Sequence, residues 1–385
     1  MGYFLRLTEH NGYDSLSWIF QMADVNYEGT RPVCRLAFEA PERLTGLAQL
    51  AGINLIELTQ LTYQRLPNNS GAPLHHFFGQ SVSHDLIRSN RPRICPDCLS
   101  ESPYCRRVWE FSAVTACPTH RRLLIDECPK CKTRISWSRK NVTVCSCKFD
   151  WRESPASTVV NQELRLTRHI YQLCGLSVAG AEPPILSEPF SSLSLNDLLR
   201  ALFFVAGQQR GLSAATSRHL TAAGKSQNFH GILTKAYSVF ENWPVNYFEF
   251  LDRRRIQERK VSRTYQRMKS ALYEAFGSFY SGLHNVLSGS QFDFMRRAFI
   301  DYIVLSQSGN GVSNFSAVIE PFRSQYLLKS DVRRLLGVDY RWINYQIRTR
   351  QVRVMVRSKG KKRLIFIDVA DVLKLRPTHF IDLES

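Results

Sequence analysis

Apolar positions along this chain recur mainly at helical spacing. Asp14-Ser-Leu-Ser-Trp-Ile-Phe-Gln-Met-Ala opens on a capping residue, Asp14, and sets Leu16, Ile19, Phe20 and Ala23 on one stripe. Pro41 to Gly52 predicts a short helix stopped by the glycine, and Asn54 to Tyr63 a second one. Helix, glycine turn and helix give the outline of either a helix-turn-helix or a plain packed hairpin. The second helix has no Arg or Lys before Arg65, so packing or partner docking suits it better than reading DNA. Residues 65–92 read as loop, with Pro67-Asn-Asn-Ser-Gly-Ala-Pro73 as the clearest turn cluster. Further helices are predicted over Gln162–Cys174, Leu195–Ala206 (ending at Gly207), Phe229–Phe240, Pro244–Glu274 and Gln291–Ser306. Arg253, Arg254, Arg255, Arg259, Lys260, Arg263, Arg267 and Lys269 would give the fourth of these a basic face, either solvated or following a phosphate backbone.

The last segment changes character. Lys329 to Val338 predicts a short helix with Ser330 as its cap and Val332, Leu335 and Leu336 inward. Asp339 caps a second helix, in which Ile343 and Ile347 face the core and Arg341, Asn344, Tyr345 and Arg348 fall on other faces. Val352 to Arg357 and Arg363 to Ile367 alternate like strands around a glycine turn. Two helices followed by a hairpin bearing Arg357, Lys359, Lys361, Lys362 and Arg363 predict a winged helix-turn-helix. Arg341, Asn344, Tyr345 and Arg348 would then meet a DNA groove, and the hairpin cations would meet phosphate.

Charge strengthens that reading. The chain of 385 residues has 51 Lys and Arg against 33 Asp and Glu, a formal +18. From Pro321 to Arg363 there are thirteen basic residues and two acidic ones. Such a surplus attracts polyanions, nucleic acid first. No apolar run is long enough to span a membrane. The N-terminus lacks the order of a signal peptide, so the cytosol is the expected compartment, where thiols stay reduced and paired cysteines favour metal.

Seven of the ten cysteines fall into closely spaced pairs. They read Cys95-Pro-Asp-Cys98, Cys117-Pro-Thr-His120, Cys128-Pro-Lys-Cys131 and Cys145-Ser-Cys147. Two such pairs make one tetrahedral site of thiolate and imidazole, so four predict two zinc ions. Sequential grouping puts Cys95, Cys98, Cys117 and His120 on one ion and Cys128, Cys131, Cys145 and Cys147 on the other. Spacing leaves an interleaved grouping open. With four protein ligands each, the sites are closed and structural rather than catalytic. The His-x-Glu and Pro-Cys-x-x-Cys pattern of zinc deaminases is missing, as are a P-loop and a clustered acidic set, so no enzyme is expected. Cys34, Cys105 and Cys174 remain outside the pairs.

The expected fold is mainly α and multidomain. It comprises a helical, helix-turn-helix-like domain over 1–90, a double zinc-ribbon-like module over 91–153, and a linker with one helix over 154–190. A helical domain over 191–320 and the winged helix-turn-helix over 321–385 complete it.

Several of these residues resemble the TniQ/TnsD family, the target-selection proteins of transposons. The likeness lies in Asp14-Ser-Leu-Ser-Trp-Ile, in the helical pair from Leu44 to Tyr63, and in Arg93-Ile-Cys95-Pro-Asp-Cys98 through Trp109-Glu-Phe to Cys117-Pro-Thr-His120-Arg-Arg-Leu-Leu. Glu127-Cys128-Pro-Lys-Cys131 continues it. The resemblance covers about residues 3 to 151; beyond them the likeness is one of style. It implies a bacterial, nucleoid-associated adaptor that recognises an attachment sequence directly or sits, often as a dimer, on an RNA-guided CRISPR complex of the Cascade type. Either kind passes the site to a TnsC-like AAA+ regulator, which recruits the transposase. Which guide is used stays open: one helical and one zinc module resemble the CRISPR-associated branch, and the basic winged module resembles direct DNA reading. A zinc-stabilised winged-helix transcriptional regulator is the alternative that the same residues allow.

Overall fold

The computed structural model describes residues 1–25, 37–67, 73–155, 157–178, 186–209, 226–261, 271–307, 326–359 and 362–374. Helices dominate, with three small sheets among the described residues. The chain divides into two compact units. The first takes in Met1–Ala206 and Arg218–Ser238, and the second Gly207–Ser217 and Val239–Ser385. No described helix is long and apolar enough to cross a membrane.

The first unit begins with four short helices, α1 (Gly2–His10), α2 (Leu16–Met22), α3 (Thr45–Ala51) and α4 (Leu55–Gln60). The expected stripe of Leu16, Ile19, Phe20 and Ala23 is buried, together with Phe4, Leu44, Leu47 and Leu58. The α2 cap is Ser15, whose hydroxyl accepts from the Ser17 amide; Asp14 instead meets Lys140 at 2.5 Å. Gly52 ends α3 in the left-handed region (φ 64°), and Asn54 with Glu57 forms a capping box on α4. A side chain at Gly46 would sit 2.0 Å from the Ala23 carbonyl, so only glycine lets α3 approach the end of α2 this closely.

Residues 64–65, 74–77 and 80–83 differ from the expected loop. They form an antiparallel sheet, β1 (Gln64–Arg65), β2 (Leu74–Phe77) and β3 (Gln80–Ser83). Its turn, Phe78-Gly79, has both residues at positive φ (50° and 71°), the twist a two-residue hairpin needs. Phenylalanine in that position is an uncommon turn signal, and packing on Phe77 and Phe111 holds it there. After the cysteine-rich segment come α6 (Arg165–Leu173), α7 (Leu195–Gln209) and α8 (Ser226–Ser238). Leu195, Leu198, Leu199, Leu202, Phe204 and Val205 of α7 are all buried, as in a helix surrounded by packing partners.

Between α6 and α8, His169 faces the Tyr237 hydroxyl at 3.0 Å. Burial pushes this imidazole down to about 4. The unfolded chain protonates it near 6.5 and the folded chain only below about 4, so its stabilising contribution is full above 6.5 and is lost as pH falls toward 4. At pH 5 the loss is about 2 kcal/mol. His169→Gln should therefore flatten the fall in Tm between pH 7 and pH 5 in calorimetry. Wild-type and variant curves that run parallel would contradict this.

The second unit packs α9 (Val245–Val261), α10 (Ala271–Phe276), α11 (Ser278–Asn285) and α12 (Asp293–Gln307) around Tyr247, Phe250, Phe276, Phe279, Tyr280 and Phe299. The expected long helix from Pro244 is recorded as α9 and α10. Its basic run is not one solvated face: Arg253 is exposed, whereas Arg254 and Arg255 are buried, and Arg254 donates to the Gln208 carbonyl at 3.0 Å. Arg263, Arg267 and Lys269 lie outside the described residues.

The chain then forms β6 (Tyr326–Leu328), α13 (Lys329–Leu336), α14 (Tyr340–Arg348), β7 (Val354–Lys359), β8 (Lys362–Asp368) and α15 (Val369–Lys374). The sheet order is β6-β8-β7, all antiparallel. Strand β6 runs directly into α13, whose cap position lies two residues earlier than expected. Leu328 is its N-cap and makes no side-chain cap bond, so Ser330 lies inside the helix. Gly337 stops α13 at φ 65°, and Asp339 caps α14 by accepting from the Trp342 amide at 2.7 Å.

Candidate metal centres

The first pair of cysteines opens α5 (Pro96–Glu101). Cys95 is its N-cap and Pro96 its first residue, a position that needs no amide hydrogen. The second pair lies on a hairpin of β4 (Ala116–Cys117) and β5 (Arg122–Leu123), turned by Arg121 at φ 48°. Two long-range contacts bring these elements together. Ile94 and Ile125 form an isolated antiparallel bridge, and the Arg122 guanidinium meets Asp97 at 2.5 Å. Arg122 also donates to the Ser154 and Pro155 carbonyls, both at 3.0 Å.

Cys95, Cys98, Cys117 and His120 thereby converge. Cys98 Sγ lies 3.6 Å from Cys117 Sγ and 3.3 Å from His120 Nδ1. Nδ1 is 3.6 Å from Cys95 Sγ and 3.5 Å from Cys117 Sγ. Metal–sulfur bonds of about 2.3 Å in a tetrahedron place sulfurs about 3.8 Å apart, so the side chains already stand at ligand spacing. Thiols this close cannot all ionise by themselves. Hydrogen bonds from Cys95 and Cys98 hold Cys117 far below the usual thiol range, while the bond to Cys117 pushes Cys95 up to about 12 and raises Cys98 as well. A bound dication removes that conflict by attracting every thiolate at once.

The second group, Cys128, Cys131, Cys145 and Cys147, is built on two tight turns. Cys128 donates its amide to Thr133 O and accepts at its carbonyl from Lys132, whose φ is 62°. Cys145 repeats the pattern with Phe149 O and the Lys148 amide, at φ 65°. Cys128 and Cys147 sulfurs are 3.7 Å apart, as are those of Cys131 and Cys145. Within each group the ligand atoms all lie within 4.8 Å of one another, so each group could hold a metal ion and the grouping in space is the sequential one. Three thiols with an imidazole, and four thiols, are soft donor sets that fit zinc. The groups differ in exposure: Cys95, Cys98 and Cys117 are buried, whereas Cys131 is exposed.

Spacing alone did not reveal the groups that orient these ligands. Glu101, one helical turn beyond Cys98, lies 2.9 Å from His120 Nε2. Accepting that N–H fixes the tautomer and leaves Nδ1 free for a metal. Arg93 is fully buried and donates to the Ser112 and Val114 carbonyls, bracing the approach to Cys117; burial lowers it to about 9. Arg139 lies over the Trp137 and Trp151 rings and donates to the Asn141 carbonyl at 3.1 Å. Glu101→Ala should weaken metal binding at the first group alone, by about 10-fold given the exposure of the carboxylate. A competitive chelator titration checks this, and two unshifted metal equivalents would count against the orienting role.

The residues expected to meet DNA lie on the C-terminal elements. Arg341, Tyr345 and Arg348 are exposed on α14. Asn344 is half-buried, and its side-chain oxygen accepts a hydrogen bond from Lys329 Nζ, so an internal bond already occupies it. Arg363 is exposed on β8, opposite Ser358. Arg357 and Lys359 are on β7 and Lys362 starts β8, paired with Lys359; Lys361 lies outside the described residues.

No curated protein matches the sequence. Residues 1–124, which include α1 to α5, the β1–β3 sheet and the whole first cysteine group, match the TniQ family model. The N-terminal third of the chain is thus a TniQ domain, which implies a transposition-associated protein.

Proposed function

We propose that the protein is a target-site selection adaptor of DNA transposition. The observation that carries this reading is the TniQ match over residues 1–124. In this reading the two cysteine groups hold structural zinc ions, and the chain catalyses no reaction itself. Residues 321–385 act as a winged helix-turn-helix. Arg341, Tyr345 and Arg348 approach base edges or phosphates, Asn344 is released from Lys329 to join them, and the Arg357–Arg363 hairpin lies along the backbone. The exposure of Arg341, Tyr345 and Arg348 and the basic character of this segment support DNA engagement. The site chosen, by direct DNA contact or through a Cascade-type guide complex, is passed to an AAA+ regulator and then to the transposase. A homodimer on the guide complex belongs to the same proposal, as do the five segments 1–90, 91–153, 154–190, 191–320 and 321–385.

Affinity capture with and without a guide complex, followed by footprinting of the retained DNA, tests the proposal. A defined footprint, or stable retention on the guide complex, is expected. Retention of neither, with both metals bound, would overturn it.

A further inference from the structure

The second cysteine group carries more positive charge than its own fold engages. Residues 127–149 hold six basic side chains and one acidic one, Glu127. Arg139 is buried against backbone carbonyls, and Lys140 pairs with Asp14. The other four, Lys130, Lys132, Arg134 and Lys148, are exposed, with no ion-pair partner among the described residues. Nearby Asp126 is engaged by Arg88 at 2.5 Å. Glu127 faces Arg134 across an isolated backbone bridge.

The turns place three of these cations next to the clustered cysteines. Lys130 and Lys132 flank Cys131, and Lys148 follows Cys147, two cysteines of one cluster whose sulfurs all lie within 4.8 Å. Lys132 and Lys148 occupy the left-handed residues of their turns, a backbone that is unusual for lysine. Four thiolates on a dication carry a net charge of about −2, so four cations exceed what the metal site needs for neutrality. Ammonium groups on flexible stems suit phosphate as point charges rather than base edges.

We infer that this basic turn pair is a second DNA contact, which holds the phosphodiester backbone of a duplex without reading its sequence. The inference rests on the DNA engagement proposed above and adds a site remote in sequence from the C-terminal segment. It makes affinity for any duplex depend on the second metal group.

The test combines Lys130→Gln, Lys132→Asn, Arg134→Gln and Lys148→Gln in the full chain. A control of equal charge carries Arg43→Gln, Arg65→Gln, Lys235→Gln and Arg253→Gln, all at exposed positions. Binding of a mixed-sequence duplex is measured across a salt series, alongside metal content and melting. Each lost phosphate contact lowers the slope of log affinity against log salt by about 0.9, so a fall of about three to four is expected, with Kd raised at least about 10-fold near physiological salt. If the fourfold variant loses metal, Lys130→Gln with Lys148→Gln leaves the Lys132 turn intact and should give about half that change. A slope and affinity equal to the control's, with the loss in an Arg341→Ala, Arg348→Ala protein intact, would overturn this inference alone. A wild-type chain that binds no duplex overturns both it and the DNA-binding reading.

Discussion

Cys98→Ser is expected to abolish metal binding at the first cysteine group and to unfold the segment from α5 through the β4–β5 hairpin. Cys98 is 1% exposed, and its sulfur touches both the Cys117 sulfur and His120 Nδ1. Serine offers a poor zinc ligand and leaves a buried hydroxyl among thiols. Metal binding at structural sites is itself folding free energy, about 10–16 kcal/mol in small zinc modules. Losing even a third of that lowers Tm by about 10 °C for a unit of this size. Cys131→Ser should release the other metal at a smaller cost in Tm, because Cys131 is exposed and its turn lies at the surface. Metal analysis beside calorimetry reads both effects. Two metals per chain with an unchanged melting curve for Cys98→Ser would show that the ligand assignment is wrong.

Arg341→Ala combined with Arg348→Ala should weaken duplex binding by at least about 30-fold while leaving the fold intact. Both side chains are exposed on α14, while the packing of that helix is carried by buried Ile343 and by the Asp339 cap. A contact from such an arginine is worth about 1–3 kcal/mol, and two contacts together set the lower bound. Removing either guanidinium exposes no core. Tm should therefore move little, and electrophoretic or fluorescence titration should carry the whole effect. Full affinity in the double variant at physiological salt would remove α14 from the DNA interface.

Features written in local spacing were legible in the sequence; features made by tertiary contact were not. The eight clustered side chains were readable because the members of each pair lie within four residues of one another. Their grouping was open because it depends on Arg122 reaching Asp97 and on Ile94 pairing with Ile125. The stripe of α2 and the Gly52 and Gly337 stops followed from periodicity and from the need for a left-handed residue. The β2–β3 hairpin was missed because its turn is Phe-Gly and because His75 and His76 obscure the alternation of strand residues. Strand β6 was missed because three residues make no pattern, and it moved the start of α13 away from Ser330. Glu101 was hidden for a related reason: its role exists only once His120 arrives from the hairpin. Arg254 and Asn344 carry tertiary hydrogen bonds that side-chain type alone does not show: Arg254, expected on a face either solvated or following phosphate, donates to the Gln208 carbonyl, and Asn344 accepts from Lys329.

The C-terminal segment and the second cysteine group thus supply two basic surfaces, and the TniQ domain supplies the link to transposition. Their common purpose, in the proposal, is to load a regulator onto a chosen site. The most direct measurement is retention of the purified AAA+ regulator on immobilised target DNA, with the protein added alone or with its guide complex. The account predicts that the regulator stays on DNA only when the metal-loaded protein is present, and that Cys98→Ser abolishes this retention. Equal loading with and without the protein would contradict the account.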